Sequence, residues 1–117
     1  MRGEVRYLQI PAVDVEASAR FYEQTLGWAK RVRADGSVAF DDTSGHVSGE
    51  WLPGRQAVGD AGVLVHVRVE DVAASLALIV EAGGEVVVPR TPQGEDIAYA
   101  TFRDPAGNVL GIFQEGG

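Results

Sequence analysis

The chain has 117 residues, no cysteine, and 17 acidic against 10 basic side chains, which gives a formal charge of −7. The length fits one compact domain, and the acidic balance, with Lys30 as the one lysine, argues against nucleic acid and anionic membranes as partners. The absence of cysteine excludes disulfides and thiolate metal sites. Apolar stretches such as 72–80 are shorter than the roughly 20 residues of a membrane span, and residues 1–10 lack an apolar signal segment. We therefore expect a cytoplasmic protein.

The first half of the chain predicts one strand, one helix and three further strands. Residues 5–10 alternate between apolar and polar side chains as in a short strand. Asp14 is suited to cap a helix whose apolar positions recur at helical spacing up to Gly27. Strands are predicted next at 29–33, 38–41 and 46–52.

The second half predicts the same order of elements. Residues 63–69 place four valines on one face of a strand and Leu64, His66 and Arg68 on the other. Asp71 is suited to cap a helix that ends at Gly83 and Gly84. Further strands are predicted at 85–89, 97–103 and 109–114.

Two sequence blocks occur in both halves, which indicates an internal duplication. Asp14-Val15-x-Ala17-Ser18 recurs at 71–75, an offset of 57, and Asp42-x-x-Gly45-x-Val47-x-Gly49 recurs at 104–111, an offset of 62. The repeats predict a single domain over 1–117, with unit one at about 4–53, a linker at 54–61 and unit two at about 62–115.

The chain resembles the vicinal oxygen chelate superfamily, the group of glyoxalases, bleomycin-resistance proteins and extradiol dioxygenases. The residues that carry the resemblance are Ile10-Pro11-x-x-Asp14, Ser18-x-x-Phe21-Tyr22 and Leu26-Gly27-Trp28 in the first half, and Val69-Glu70-Asp71-Val72, Ala82-Gly83-Gly84-x-Val86 and Phe102-Arg103-Asp104-Pro105-x-Gly107-Asn108 in the second. The resemblance implies an α+β fold in which two tandem βαβββ units form a cup-shaped, partly open mixed β-barrel with helices outside. It also implies a ligand inside the cup and a homodimer.

Enzymes of this family hold a divalent metal with His, Glu or Gln side chains on the first and last strand of each unit. The resemblance places these positions at Tyr7, Gly49, Leu64 and Gly111. Because none of these is a usual metal ligand, we expect no metal and no cofactor. The alternative is a displaced site made of Gln9, His66 and Glu50, although Glu50 is next to Gly49 and is expected to point to the opposite face.

Strand alternation predicts which side chains line the cup. They are Tyr7, Gln9, Gly49, Trp51, Leu64, His66, Arg68, Tyr99, Thr101, Gly111 and Phe113. The two glycines are expected to leave room for a guest, and Trp51 and Phe113 are expected to stack on a flat ligand from two sides.

The lining favours a metal-free protein that binds an aromatic or amphipathic small molecule, as the family's antibiotic-binding resistance proteins do. A second hypothesis is a lyase, isomerase or dioxygenase-like enzyme that uses the displaced metal or acid–base chemistry of His66 and Tyr7. A third is a protein whose cup is filled as a core and which assembles with a partner. Whether the chain is an enzyme stays open at this point.

Overall fold

A computed structural model describes residues 2–116, so the two terminal residues of the predicted domain lie outside the described residues. Strand, helix and three strands follow one another twice, in the predicted order. The elements are β1 (Tyr7–Pro11), α1 (Val15–Leu26), β2 (Ala29–Val32), β3 (Val38–Asp41), β4 (Ser48–Leu52), β5 (His66–Arg68), α2 (Val72–Glu81), β6 (Glu85–Gln93), β7 (Ile97–Arg103) and β8 (Val109–Glu115).

Both helices begin at the predicted aspartates. The Asp14 side chain accepts the backbone N–H of Ala17 at 3.1 Å, and the Asp71 side chain accepts that of Ala74 at 3.1 Å. These bonds satisfy N–H groups that have no partner inside the helix. After α1, Gly27 takes the left-handed conformation with φ 73°, which a glycine adopts without the steric cost of a Cβ. The predicted caps at Asp14, Asp71 and Gly27 are confirmed, whereas the C-cap of α2 is Ala82, with φ −84°, one residue before the predicted Gly83.

The strands form two separate four-stranded sheets of the same topology, β1-β4-β3-β2 and β5-β8-β7-β6. In each sheet the first strand runs parallel to the fourth, and the other neighbours are antiparallel. The α+β class and the two mixed sheets agree with the predicted fold, and the sheets do not close on each other. No helix in the range 2–116 is long and apolar enough to cross a membrane.

The helices pack against one face of the sheets and build a core that crosses from one half to the other. Phe21 of α1 meets Phe102 of β7 with ring centroids 6.0 Å apart. In the first half, Trp28 stacks between Tyr22 at 4.8 Å and Phe40 at 4.5 Å. Such aromatic pairs add to the stability gained by burial, and the hydrophobic core is continuous between the two halves.

A buried polar cluster also joins the halves. Tyr22 donates its hydroxyl to Asp104 Oδ2 at 2.8 Å, and Asn108 donates its amide to the carbonyl of Pro11 at 2.7 Å. The Asn108 amide oxygen accepts the N–H of Val58 in the connecting loop at 2.9 Å. Burial, together with the Asp104 carboxylate, raises the pKa of Tyr22 well above its usual value. The turn at 104–108 therefore fixes the two sheets relative to each other.

Two strands, β5 and β6, differ most in length from the sequence prediction. β5 covers only 66–68 of the predicted 63–69, and Val63 is 83% exposed. β6 extends to Gln93 in spite of Pro89 and Pro92, because it is an edge strand with irregular register, where prolines are tolerated.

Candidate functional site

Each sheet has a face that points away from the helices, which we call its open face. The first open face carries Tyr7, Gln9, Ser48 and Glu50, because Tyr7 pairs with Ser48 and Gln9 pairs with Glu50 in the ladder of β1 and β4. Paired residues of neighbouring strands share a face. The second open face carries His66, Arg68, Tyr99, Thr101, Gly111 and Phe113 by the same criterion.

The predicted facing of β4 is therefore wrong by one residue. Gly49 and Trp51, both expected in the cup, point to the core, and Glu50, expected to point away, lies beside Gln9. The alternation along β4, with Gly49 and Trp51 buried and Glu50 half-buried, agrees with this register.

The cause is the length of the turn before β4. The N–H of Asp42 bonds to the carbonyl of Val47, whereas the equivalent N–H of Asp104 bonds to the carbonyl of Asn108. The first turn thus contains one more residue, and a one-residue slip turns every later side chain to the other face. Beyond this turn Glu50 corresponds to Gly111.

Trp51 cannot stack on a ligand opposite Phe113, contrary to the prediction. It is 3% exposed, and its indole packs against Phe40 at 4.8 Å and Tyr22 at 5.9 Å between ring centroids. Its structural equivalent in β8 is the buried Ile112, and both fill the core behind their sheets.

The two glycines do not leave room for a guest either. A Cβ on Gly49 would overlap the ring of Phe40 and the carbonyl oxygen of Leu8. A Cβ on Gly111 would overlap the imidazole of His66. The space above each glycine is filled by a side chain of this protein, on the core side for Gly49 and on the second open face for Gly111.

The first open face carries a hydrogen-bonded group around Glu50, which we call the Glu50 network. Tyr7 donates its hydroxyl to Glu50 Oε2 at 3.0 Å, and Gln9 donates its amide to the same oxygen at 3.1 Å. Arg33 Nη2 donates to the Tyr7 hydroxyl at 2.6 Å, and Arg33 Nη1 lies 3.6 Å from Glu50 Oε1. The bonds from Gln9 and Tyr7, with the charge of Arg33, lower the pKa of Glu50.

A second ion pair lies on the same face. Arg31 donates to both carboxylate oxygens of Asp41, at 2.6 Å and 3.1 Å, and the Ser48 hydroxyl donates to Asp41 at 2.6 Å. The bond from Arg31, followed by that from Ser48, lowers the pKa of Asp41. Arg31 and Arg33 are therefore each paired with a carboxylate on the first open face.

The second open face combines aromatic rings with one imidazole. His66 pairs with Gly111 across β5 and β8, and Tyr99 pairs with Phe113 across β7 and β8. An open depression of about 350 Å³ lies on this face, and His66, Gln93, Ile97, Tyr99 and Phe113 line it; we call it the His66 cavity. Three predicted cup residues thus line one cavity, and its apolar wall carries few polar groups.

Three other predicted lining residues contribute less to this cavity. Leu64 precedes β5 and is 41% exposed. Arg68 lies on the second open face but extends into solvent, where its Nε is 3.5 Å from a Glu115 carboxylate oxygen. Thr101 is buried beside Gly111.

A larger open cleft of about 910 Å³ lies where the two halves meet. Its lining includes Leu8, Leu26 and Trp28 from the first half and Val65, Val67 and Val69 from the second. His66 and Arg68 line this cleft as well, so the cleft adjoins the His66 cavity.

The donor groups do not fit a divalent metal. Across residues 2–116, no three His, Cys, Asp or Glu side chains are grouped so as to hold one. The structure does bring Gln9 and Glu50 together, as a displaced site would require, but the Glu50 carboxylate already faces two donors and a guanidinium. His66 lies over Gly111 on the other sheet. A cation at Glu50 would therefore lie beside the positive charge of Arg33 and would not have the His66 imidazole as a ligand.

The suggested acid–base pair of His66 and Tyr7 is likewise divided between the two open faces. The Tyr7 hydroxyl is engaged with Glu50 and Arg33. In the part of the chain that the structure describes, no hydrogen bond joins the side chains of Tyr7 and His66. Sequence reasoning had not singled out Arg33, although its spacing of two from Arg31 places both on one strand face.

Comparison with known proteins gives consistent results. The model of the Glyoxalase/Bleomycin resistance protein/Dioxygenase superfamily matches residues 5–112. A "Glyoxylase-like domain-containing protein" of Didymella fabae is 25% identical over 120 residues, which span 96% of this chain and 94% of that protein.

Solved structures share the fold. A glyoxalase/bleomycin resistance protein/dioxygenase family enzyme from Burkholderia phytofirmans PsJN superposes with a TM-score of 0.80 at 17% identity, over 97% of this chain and 99% of that one. TnmS3, described as an antibiotic binding protein from Streptomyces sp. CB03234, superposes with a TM-score of 0.73 at 23% identity, over 97% of both chains.

Proposed function

Since the chain belongs to the glyoxalase/bleomycin resistance protein/dioxygenase superfamily, we propose that it binds an aromatic or amphipathic small molecule without a metal. The observation that carries the proposal is the cavity of about 350 Å³ lined by Tyr99, Phe113 and His66. Cavities of about 300–1,000 Å³ with apolar walls and few polar groups are typical ligand sites.

The chemistry of the cavity selects a flat ligand with at least one polar group. Tyr99 and Phe113 are neighbours across the sheet and offer ring faces and edges, each contact contributing about 0.5–1.5 kcal/mol beyond burial. His66 and the Gln93 amide supply hydrogen bonds at the rim. Ile97 adds apolar surface.

Binding without chemistry is favoured over catalysis by the partners of the polar groups. The Tyr7 hydroxyl is held in the Glu50 network, and His66 lies on the other sheet, so the two do not form the dyad that acid–base catalysis needs. The description of TnmS3 as an antibiotic binding protein supports sequestration of an antibiotic or natural product as the specific role.

We extend the proposal to a cytoplasmic homodimer. Val5 is 76% and Val63 is 83% exposed, and both line the open cleft between the halves. Apolar surface of this kind is commonly covered by a partner. Light scattering after size exclusion is expected to give the mass of a dimer, and a monomer at micromolar concentration would contradict it.

Thermal-shift screening of a panel of natural products and drug-like aromatic compounds tests the ligand site. We expect a planar compound with a polar group to raise the melting temperature of the natural chain, because binding to the native state alone stabilises it. His66→Ala and Phe113→Ala are expected to abolish the shift.

His46→Ala is the matched control, because His46 is the other histidine and lies exposed in the turn before β4. It is expected to keep the full shift. If no chemotype stabilises the protein, or if His66→Ala and Phe113→Ala retain the shift of the natural chain, the ligand site is not on the second open face.

A further inference from the structure

We propose that Arg33 takes the place of the metal on the first open face. Its guanidinium holds divalent cations out of a latent oxygen site formed by Glu50, Tyr7 and Gln9. The inference extends the metal-free part of the proposed function, and it does not depend on which compound the second open face binds.

The positions of the oxygen groups support this assignment. Tyr7 is on the first strand at the place where family enzymes carry a ligand, and the longer turn puts Glu50, not Gly49, at the corresponding place on the fourth strand. Gln9 is two residues from Tyr7 on the same face and contacts the same carboxylate. Three oxygen-bearing side chains thus converge on one point of the sheet.

Arg33 supplies the positive charge at that point. Its Nη1 lies 3.6 Å from Glu50 Oε1, its Nη2 donates to the Tyr7 hydroxyl at 2.6 Å, and its guanidinium carbon lies 5.9 Å from the centre of the Tyr7 ring. A guanidinium stays charged at every physiological pH. Glu50 is therefore paired with a cation that belongs to the chain.

The β2–β3 hairpin positions Arg33. The Arg33 N–H donates to the carbonyl of Ser37 at 2.9 Å, and the Arg33 carbonyl accepts the N–H of Gly36 at 2.9 Å. Gly36 has φ 88°, a conformation that glycine adopts freely. The tight turn brings Arg33 onto the same face as Arg31, next to the Glu50 carboxylate.

The present hydrogen bonds are also arranged for a carboxylate paired with an arginine and not for a metal. Tyr7 and Gln9 both direct hydrogens at Glu50, whereas a metal needs their lone pairs. Without the charge of Arg33, rotation of the phenol hydrogen and a flip of the Gln9 amide would present three oxygens to a cation. Oxygen ligands of this kind suit Mn²⁺.

The test is Mn²⁺ binding to the natural chain and to Arg33→Met, which keeps the apolar stem and removes the charge. Arg31→Met is the matched control, because Arg31 lies on the same face and pairs with Asp41. We expect Arg33→Met to bind Mn²⁺ roughly tenfold or more tightly than the natural chain, with paramagnetic broadening of the Tyr7 and Gln9 amide signals. Arg31→Met is expected to leave affinity and signals at Glu50 unchanged.

The double variant Glu50→Gln with Arg33→Met is expected to lose the gained affinity. Arg33→Gln serves as a second neutral variant should Arg33→Met fail to fold. The proposal is overturned if a folded neutral variant binds Mn²⁺ no better than the natural chain, or if the natural chain already broadens the same signals. Ligand stabilisation in the thermal-shift panel is expected to persist in Arg33→Met, so failure of one proposal is distinguishable from failure of the other.

Discussion

The two turns that precede β4 and β8 share a sequence motif but differ in what they do. Both begin with an aspartate and contain a glycine with positive φ, Gly45 at 77° and Gly107 at 94°. The first turn closes between Asp42 and Val47, and the second closes one residue sooner, between Asp104 and Asn108. This single residue decides that Glu50 and Gly111 occupy equivalent places.

The surroundings of the two aspartates differ as well. Asp42 is half-buried and accepts bonds from Ser44 and Gly45 inside its own turn. Asp104 is 3% exposed and accepts Tyr22 from α1 in addition to its own turn. One copy of the motif therefore shapes a local turn, whereas the other joins the two halves of the molecule.

Replacement of Asp42 or Asp104 by alanine is expected to give the largest difference in the free energy of unfolding. Asp104→Ala leaves the Tyr22 hydroxyl without a buried partner and removes one of the two acceptors of the Asn108 amide, which keeps the Pro11 carbonyl. The change is expected to lower the free energy of unfolding by about 3 kcal/mol or more. Asp42→Ala loses bonds within its own turn, most of them exposed, and is expected to cost about 1 kcal/mol. Urea denaturation followed by circular dichroism measures both. Equal losses would show that Asp104 does not join the halves.

Alanine substitutions at Gly49 and Gly111 test which face of the sheet each residue of β4 and β8 points to. Gly49→Ala is expected to cost about 1–3 kcal/mol, because its Cβ meets the backbone of Leu8 and the ring of Phe40 in the core. Gly111→Ala is expected to cost less, because the three atoms nearest to its Cβ belong to the imidazole of His66, which is exposed and can rotate. Urea midpoints and the His66 ring signals in NMR spectra report the two effects. A larger loss for Gly111→Ala would reverse the assignment of the faces.

The sequence was sufficient to predict the order of elements and the family. Periodicity, the capping aspartates and the repeated blocks all describe local geometry, which short-range rules capture. The facing of β4 was not predictable from the Asp-x-x-Gly motif, because its spacing is the same in both turns. The extra residue becomes visible only in the hydrogen bond between Asp42 and Val47.

The candidate site was predictable on the second sheet but only in part, through Tyr7 and Gln9, on the first. His66, Tyr99 and Phe113 follow from alternation along regular strands. The Glu50 network depends on Arg33, which directly follows the end of β2. Its spacing from Arg31 indicates its face, but not its contact with Glu50 on β4. Tertiary contact between the β2–β3 hairpin and β4 creates the network.

The smallest expected effect is a shift in the pKa of Glu50. Tyr7→Phe removes a bond to the ionised carboxylate and is expected to raise the pKa of Glu50 toward the usual glutamate range. In the natural chain the lowered pKa contributes stability that is present above the usual glutamate pKa and is lost as pH falls through the lowered value. Carboxyl ¹³C NMR titration measures the shift.

Tyr99→Phe is the control for that titration, because it removes a phenol from the second open face. It is expected to leave the pKa of Glu50 unchanged. An unchanged pKa in Tyr7→Phe would mean that the phenol does not stabilise the carboxylate.

Amide chemical-shift mapping tests the central claim most directly, with the compound from the thermal-shift panel that stabilises the protein most. If the ligand binds the second open face, the largest changes occur at His66, Tyr99 and Phe113, and the Glu50 network keeps its shifts. Changes concentrated at Tyr7, Gln9 and Glu50, with His66, Tyr99 and Phe113 unaffected, would contradict the assignment of the binding site.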